Sequence, residues 1–147
     1  MKENIYQAHI KGVIPTGSGS AVFMSCEEKI FVIYIDPQLG NTISMAINHE
    51  KRERPMTHDL ITMMLQGLEA NIQNIVISDV NENTFYARLM LSMRNEVHKK
   101  FIEIDARPSD AIILALQNQR PIYVHRKVIE NVEDMTDVFE KLMAEEG

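Results

Sequence analysis

The sequence is poor in cysteine, with a single thiol at Cys26, and it has no tryptophan. One cysteine cannot form an internal disulfide, and a cysteine-based zinc site needs more thiols than this. We therefore expect a protein of a reducing compartment, with no disulfide-linked partner.

Long hydrophobic runs are also missing. No apolar stretch approaches the roughly 18 residues that a membrane-spanning helix needs. Residues 1–9 lack the apolar core of a signal peptide. The sequence therefore predicts a soluble, cytoplasmic protein that has no membrane partner.

A basic excess is absent as well, because 15 Lys and Arg stand against 21 Asp and Glu. This balance argues against the broad basic surface of a tight duplex binder. Seven acids and one base lie in residues 130–147, so the rest of the chain is close to neutral. The short basic run over residues 51–54 is either a solvated loop or a small phosphate-facing patch.

What the sequence does contain is the pattern of one α+β domain over residues 1–147. A chain of 147 residues with 45% hydrophobic residues can bury a single core. Short β-branched and aromatic segments bounded by turn residues predict mixed, mainly antiparallel strands. These segments are 6–14, 21–25, 30–35, 43–47, 75–77, an alternating run from 84, its partner 100–105, and a last strand from 121.

Two central helices and a C-terminal helix are predicted. In residues 57–70, Leu60, Met64 and Leu68, joined by Ile61 and Leu65, have the spacing of a buried helix face. In residues 108–118, the segment from Ala111 to Leu116 is apolar all round, which predicts a central, buried helix. The acidic segment 130–147 has the pattern of an amphipathic helix.

Polar residues cluster where a strand leads into the second central helix. Glu103 and Asp105 are two apart on a predicted strand and share a face, and Asp110 follows. Three converging carboxylates could bind Mg²⁺ or Mn²⁺, which prefer oxygen ligands. Arg107 could clamp a phosphate in a bidentate manner, and Ser109 could contact the phosphate or a carboxylate.

The same residues also have a purely structural interpretation. Ser109 could serve as the N-cap of the helix, and Asp110 in the first turn suits the helix dipole. Arg107 could then pair with an aspartate and fix the corner. The residues alone leave both alternatives open.

A second polar cluster stands at the start of the first central helix, over residues 54–59. His58 is the best candidate for a general base, since histidine titrates near neutral pH. Asp59 beside it is either a catalytic partner or a partner of the helix dipole. Helix N-termini favour anions, so Arg54 could contact phosphate here.

These motifs resemble the bifunctional nuclease domain family, formerly a domain of unknown function. The resemblance covers about residues 13–124, and its most specific element is the string from Asp105 to Ala111. The motif residues present are His58, Asp59, Asp79, Tyr86, Arg88, Asp105, Arg107, Ser109 and Asp110.

The resemblance implies an α+β fold, a homodimer, and the RNase and DNase activity reported for plant members. The two polar clusters themselves, rather than the resemblance, supply the candidate catalytic residues His58, Asp59, Asp105, Arg107 and Asp110. The candidate phosphate-binding residues are Arg54, Arg88, Arg107 and Ser109, and the candidate metal ligands are Glu103, Asp105 and Asp110.

Three functional hypotheses follow. The leading one is a nuclease that acts on RNA or DNA, with single-stranded nucleic acid as a partner and Mg²⁺ or Mn²⁺ as a cofactor. The alternative is a dimeric, non-catalytic binding or regulatory module in which the Asp105–Asp110 corner is structural. A third is an enzyme acting on a small phosphorylated substrate at the same corner.

Overall fold

Seven segments with alternating apolar side chains form one sheet in the computed structural model, which describes residues 4–146. The strands are β1 (Ile5–Pro15), β2 (Ser20–Cys26), β3 (Lys29–Ile35), β4 (Ala70–Asn81), β5 (Thr84–Arg94), β6 (Lys99–Ala106) and β7 (Ile122–His125). Their order is β3-β2-β1-β7-β4-β5-β6. The neighbours are antiparallel except β4 and β7, which are parallel.

The sheet is strongly curved. The rings of Phe31 on β3 and Phe85 on β5 stack with centroids 5.8 Å apart. In a flat sheet these strands, five steps apart in the order, would be separated by roughly 24 Å at about 4.8 Å per step. The sheet therefore curls around the main core and has a concave and a convex face.

Five helices accompany the sheet. They are α1 (Pro37–Ile47), α2 (Thr57–Gly67), α3 (Pro108–Gln117), α4 (Arg126–Asn131) and α5 (Thr136–Glu146). Helix α3 is the central one, since every residue from Ala111 to Ala115 is buried. Helices α1 and α2 both contact α3.

A second, smaller core lies on the convex face. There α5 packs Phe139 against Phe23 of β2, with ring centroids 5.1 Å apart. The predicted acidic C-terminal helix is thus confirmed from Thr136 onward, and its last predicted residue, 147, lies outside the described residues.

The predicted fold class and both central helices are confirmed, but the strand predicted over residues 43–47 is wrong. This segment belongs to α1. Asp36 caps the helix, since its Oδ1 accepts a hydrogen bond from the Leu39 backbone N–H at 2.9 Å, and Pro37 takes the first helical position. An acceptor side chain followed by proline is a helix-start signal, which outweighs the β-branched residues that follow.

The predicted burial of the α2 stripe is confirmed only for Ile61 and Leu65, which pack against the core. It is wrong for Leu60, Met64 and Leu68, which are 52%, 57% and 63% exposed. Helix α2 lies at the border of the helical layer, so these three side chains face outward. The sequence pattern identified the apolar stripe, but it could not show which part of the stripe meets the core.

Within the described part of the chain, no helix has the length and apolar character needed to cross a membrane. Cys26, in the same part of the chain, is a free and buried thiol. Its Sγ lies 3.6 Å from the carbonyl oxygen of Gln7.

Candidate functional site

The first turns of α2 and α3 meet on the concave side of the sheet. His58, in the first turn of α2, is 8% exposed. Its Nε2 lies 2.8 Å from Oδ1 of Asp110, which is in the first turn of α3. The two polar clusters of the sequence therefore join in one site, although 52 residues separate these side chains.

Arg107 completes this contact from the N-cap position of α3. Its Nε donates to Oδ2 of Asp110 at 2.8 Å, and its Nη2 donates to Oδ1 at 3.3 Å. Ser109 is buried in the first turn, so its interpretation as the N-cap is wrong. Arg107 itself remains largely exposed, with 67% of its side chain accessible.

The electrostatic balance keeps Asp110 ionised. Burial raises the pKa of the Asp110 carboxyl, but the hydrogen bonds and charges of Arg107 and His58 outweigh it, so that the pKa is lowered overall. The pKa of Arg107 is raised by the same contact. Asp110 is therefore an anion at neutral pH.

An ionised Asp110 fixes the orientation of the His58 ring. A carboxylate only accepts hydrogen bonds, so Nε2 of His58 carries the proton that faces it. In the neutral ring, Nδ1 is then the unprotonated nitrogen and can accept a proton. Aspartate also orients histidine in hydrolytic triads, but there it bonds Nδ1, so the two ring nitrogens exchange roles here.

Side-chain hydrogen bonds between α2 and α3 hold the site in place. Gln117 Nε2 donates to Oδ1 of Asp59 at 3.2 Å, and Thr62 Oγ1 donates to Oε1 of Gln117 at 3.2 Å. Oδ2 of Asp59 also accepts the backbone N–H of Met56 at 2.8 Å, which stabilises the start of α2. The sequence did not indicate a role for Thr62 or Gln117, because a single polar residue in a helix does not show which residue it will hydrogen-bond.

A groove of about 530 Å³ opens between α1 and α2 beside this site. His58 and Asp59 contribute to its wall, as do Lys51 and Arg52 of the preceding loop. Arg54, the predicted phosphate contact, is exposed and is not part of the groove wall. In the basic run over residues 51–54, the cations that line the groove are therefore Lys51 and Arg52, and not Arg54 as we expected.

Glu103 and Asp105 lie on the convex face of the sheet. They alternate along β6 with residues that face α3, and Asp105 pairs in register with Arg88 of β5. Arg88 Nε is 3.6 Å from Oε1 of Glu103, and both side chains are about half exposed. Arg88 is thus an ion-pair partner here.

The three predicted metal ligands do not converge. Asp110 is on the α3 side of the sheet, where His58 and Arg107 occupy both of its oxygens. Residues 4–146 contain no group of three or more His, Cys, Asp or Glu arranged to hold a metal ion. Glu103 and Asp105 remain a pair of carboxylates on another face.

Together, the fold and the site define an α+β domain with an Asp–His pair beside a groove lined by charges of both signs, Lys51 and Arg52 together with Glu50 and Glu53. The sequence model of the bifunctional nuclease domain matches residues 22–136, and the chain belongs to that family. The predicted resemblance is confirmed.

The chain is similar to a mycobacterial protein and to a rice protein. An uncharacterized protein of Mycobacterium tuberculosis (strain H37Rv) is 36% identical over 100 residues, which are 65% of this chain and 57% of that protein. Bifunctional nuclease 1 of Oryza sativa subsp. indica is 28% identical over 87 residues, which are 58% of this chain and 26% of the rice protein. The chain thus matches little more than half of the mycobacterial protein and about a quarter of the rice protein.

Proposed function

We propose that this chain cleaves phosphodiester bonds of RNA or DNA, with His58 as the general base. The contact between His58 and Asp110 at the wall of a groove that also contains Lys51 and Arg52 is the observation that carries the proposal. Family membership and the name of the rice relative support the same class of reaction.

The proposed chemistry begins at Nδ1 of His58. This nitrogen takes a proton from a water molecule, or from the 2′-hydroxyl of RNA, as its oxygen attacks phosphorus. A new P–O bond forms, the bond to the leaving oxygen breaks, and the leaving oxygen takes up a proton from solvent. Asp110 stabilises the imidazolium that forms, and nearby cations offset the charge that develops on the phosphoryl oxygens.

Arg107 has two roles in this proposal. It holds Asp110 through two hydrogen bonds, and its exposed guanidinium remains available for a phosphate oxygen. Lys51 and Arg52 supply the remaining positive charge at the groove. The binding energy of the phosphate is thus proposed to come from several surface cations.

Assistance by Mg²⁺ or Mn²⁺ remains a proposal. The dispersed carboxylates do not fit an ion bound by three protein ligands. Mg²⁺ often keeps several waters and uses only one or two carboxylates together with substrate phosphate. The pair of Glu103 and Asp105 is the candidate for that mode, and the reaction at His58 is written without it.

The test is cleavage of labelled single-stranded RNA and DNA, with Mg²⁺, with Mn²⁺ and with EDTA. We expect His58→Ala to reduce the rate roughly 10²- to 10⁴-fold, and Asp110→Asn to reduce it strongly as well. His58→Ala, prepared identically, is also the control for contaminating nuclease, and Tyr34→Ala on the edge strand β3 is the matched variant that should retain activity. Equal cleavage by the wild type and His58→Ala would reject His58 as the base.

The metal arms of the assay are read separately. Loss of cleavage in EDTA together with loss in Asp105→Asn would place metal assistance on the convex face. Cleavage that persists in EDTA would reject the requirement for a divalent cation and leave the proposed role of His58 intact.

A dimeric binding module is the second candidate, and the outward face of α2 favours it. This face is defined by exposed apolar side chains that continue along the helix, namely Met56, Leu60, Met63, Met64 and Leu68. Contiguous exposed apolar patches often mark interaction surfaces. We propose that a second copy of the chain covers it.

Light scattering during size-exclusion chromatography tests the homodimer. We expect the mass of two chains for the wild type and of one chain for Leu60→Lys. A monomeric wild type at micromolar concentration would contradict the proposed dimer. A dimer that shows no cleavage in any arm would favour the binding module over the nuclease.

A further inference from the structure

The end of the β5–β6 hairpin carries a small cationic and aromatic surface apart from the His58 site. Arg94 and Lys99 are directly opposite each other across the two strands, and Phe101 is opposite Ser92. Because side chains alternate along a strand, Arg94, Lys99 and Phe101 share the convex face. We refer to these three residues as the hairpin patch.

Two features of the hairpin patch are unfavourable for the isolated chain. Like charges directly opposite each other across two strands are destabilising. Phe101 is 69% exposed, and the favourable cation–π contact of Lys99 Nζ, 5.1 Å from its ring centroid, covers at most one face of the ring. A ligand that brings negative charge and a flat ring would relieve both features.

The hairpin end has a positive excess, since Arg94, Lys99 and Lys100 outnumber Glu96 of the connecting loop. Among the ion pairs of residues 4–146, none involves Arg94, Lys99 or the adjacent Lys100. Glu103, the nearest acid on the same face of β6, pairs instead with Arg88. The positive charge at the hairpin end is therefore free to meet an anion.

A concavity of about 550 Å³ continues the positive surface around the hairpin end. It is lined by Arg94, His98, Lys99 and Lys100, and by Leu68 and Glu69 just beyond the last turn of α2. His58 itself is at the other end of α2. The 11 residues of α2 span about 16 Å at about 1.5 Å per residue, so the length of this helix separates the concavity from His58.

We propose that the hairpin patch anchors single-stranded nucleic acid, with a base stacked on Phe101 and neighbouring phosphates on Arg94 and Lys99. Aromatic side chains beside cations are the usual combination for single strands, because any unpaired base exposes a ring face. A duplex hides these faces, and the small extent of the patch does not suit it. The inference rests on the proposed function and names its substrate class.

Binding is measured by fluorescence anisotropy in EDTA, with a fluorescein-labelled single-stranded deoxyoligonucleotide and a duplex of the same sequence. We expect the single strand to bind more tightly than the duplex. Phe101→Ala should weaken single-strand binding roughly five- to hundredfold, the loss of one stacked base. Tyr34→Ala is the matched control, since Tyr34 is 67% exposed on the distant edge strand β3.

Salt dependence tests the phosphate contacts separately. Each lost phosphate contact on a single strand lowers the slope of log Kobs against log salt by about 0.7. We expect the double variant Arg94→Ala, Lys99→Ala to lower it by about 1.4, and Phe101→Ala to leave it unchanged. An unchanged slope in the double variant would overturn the assignment of phosphate to these residues.

The remaining outcomes separate this inference from the proposed nuclease. Phe101→Ala binding as tightly as Tyr34→Ala would overturn the anchor, as would a wild type that does not bind. A changed oligomeric mass in Phe101→Ala would assign the patch to a protein partner and also overturn it. If Phe101→Ala weakens binding but the wild type cleaves no substrate, the anchor is supported and the proposed nuclease activity is rejected.

Discussion

The contact between His58 and Asp110 can be tested without any knowledge of substrate, by a double-mutant cycle on stability. The side chains are 10% and 27% exposed, and the 2.8 Å contact involves an ionised carboxylate. Charge-assisted hydrogen bonds of this kind contribute about 1.5–3 kcal/mol. We expect His58→Ala and Asp110→Ala each to lower the free energy of unfolding by about this amount, and the double variant to lose much less than their sum.

Urea unfolding at pH 7 of the wild type, the two single variants and the double variant measures the coupling energy. We expect at least about 1 kcal/mol, above the roughly 0.5 kcal/mol within which independent sites add. Arg88 and Glu103 form the control pair, since their half-exposed contact at 3.6 Å should couple by about 0–1 kcal/mol. A His58–Asp110 coupling below that of the control pair would refute the reasoning.

Three further predictions concern pH, thiol reactivity and packing. The pKa of Asp110 is lowered on folding, so the stability that its carboxylate contributes should be complete above the ordinary value of about 3.9 and lost as the pH falls through the folded pKa. The melting temperatures of the wild type and Asp110→Ala should therefore converge only below about pH 4. Convergence between pH 7 and 5 would contradict this. Burial raises the pKa of Cys26 to about 11, so Ellman's reagent at pH 8 should react slowly with the folded protein and rapidly in denaturant, and equal rates would show that the thiol is accessible. A Cβ at Gly40 would overlap Ser20, so Gly40→Ala should lower the free energy of unfolding, measured in urea, by about 1–3 kcal/mol. Gly17→Ala is the control that should change stability little, because a Cβ there meets no atom within 4 Å.

Local patterns determined most of the elements of this fold. Alternation from Thr84 onward gave β5, and its predicted antiparallel pairing with residues 100–105 placed Glu103 and Asp105 on one face, as the structure has them. The uninterrupted apolar run after Pro108 gave the buried helix α3. These predictions succeed because strand and helix periodicities depend only on neighbours in the sequence.

Two predictions about the helices failed for different reasons. The residues of α1 contain β-branched side chains that suggest a strand, but the local Asp36 cap starts a helix there. The stripe of Leu60, Met64 and Leu68 was recognised, yet only the position of α2 at the border of the helical layer exposes it. Spacing along one helix contains no information about what lies beside it.

The candidate site divides in the same way. The sequence by itself determined which residue types are present, the strand-to-helix corners that hold them and the family to which they belong. Only the tertiary structure decided that His58 meets Asp110, on the side of the sheet opposite to Glu103 and Asp105. The physical reason is that packing of α2 on α3 joins two helix starts that are distant in the chain, whereas strand alternation on β6 depends only on neighbouring residues.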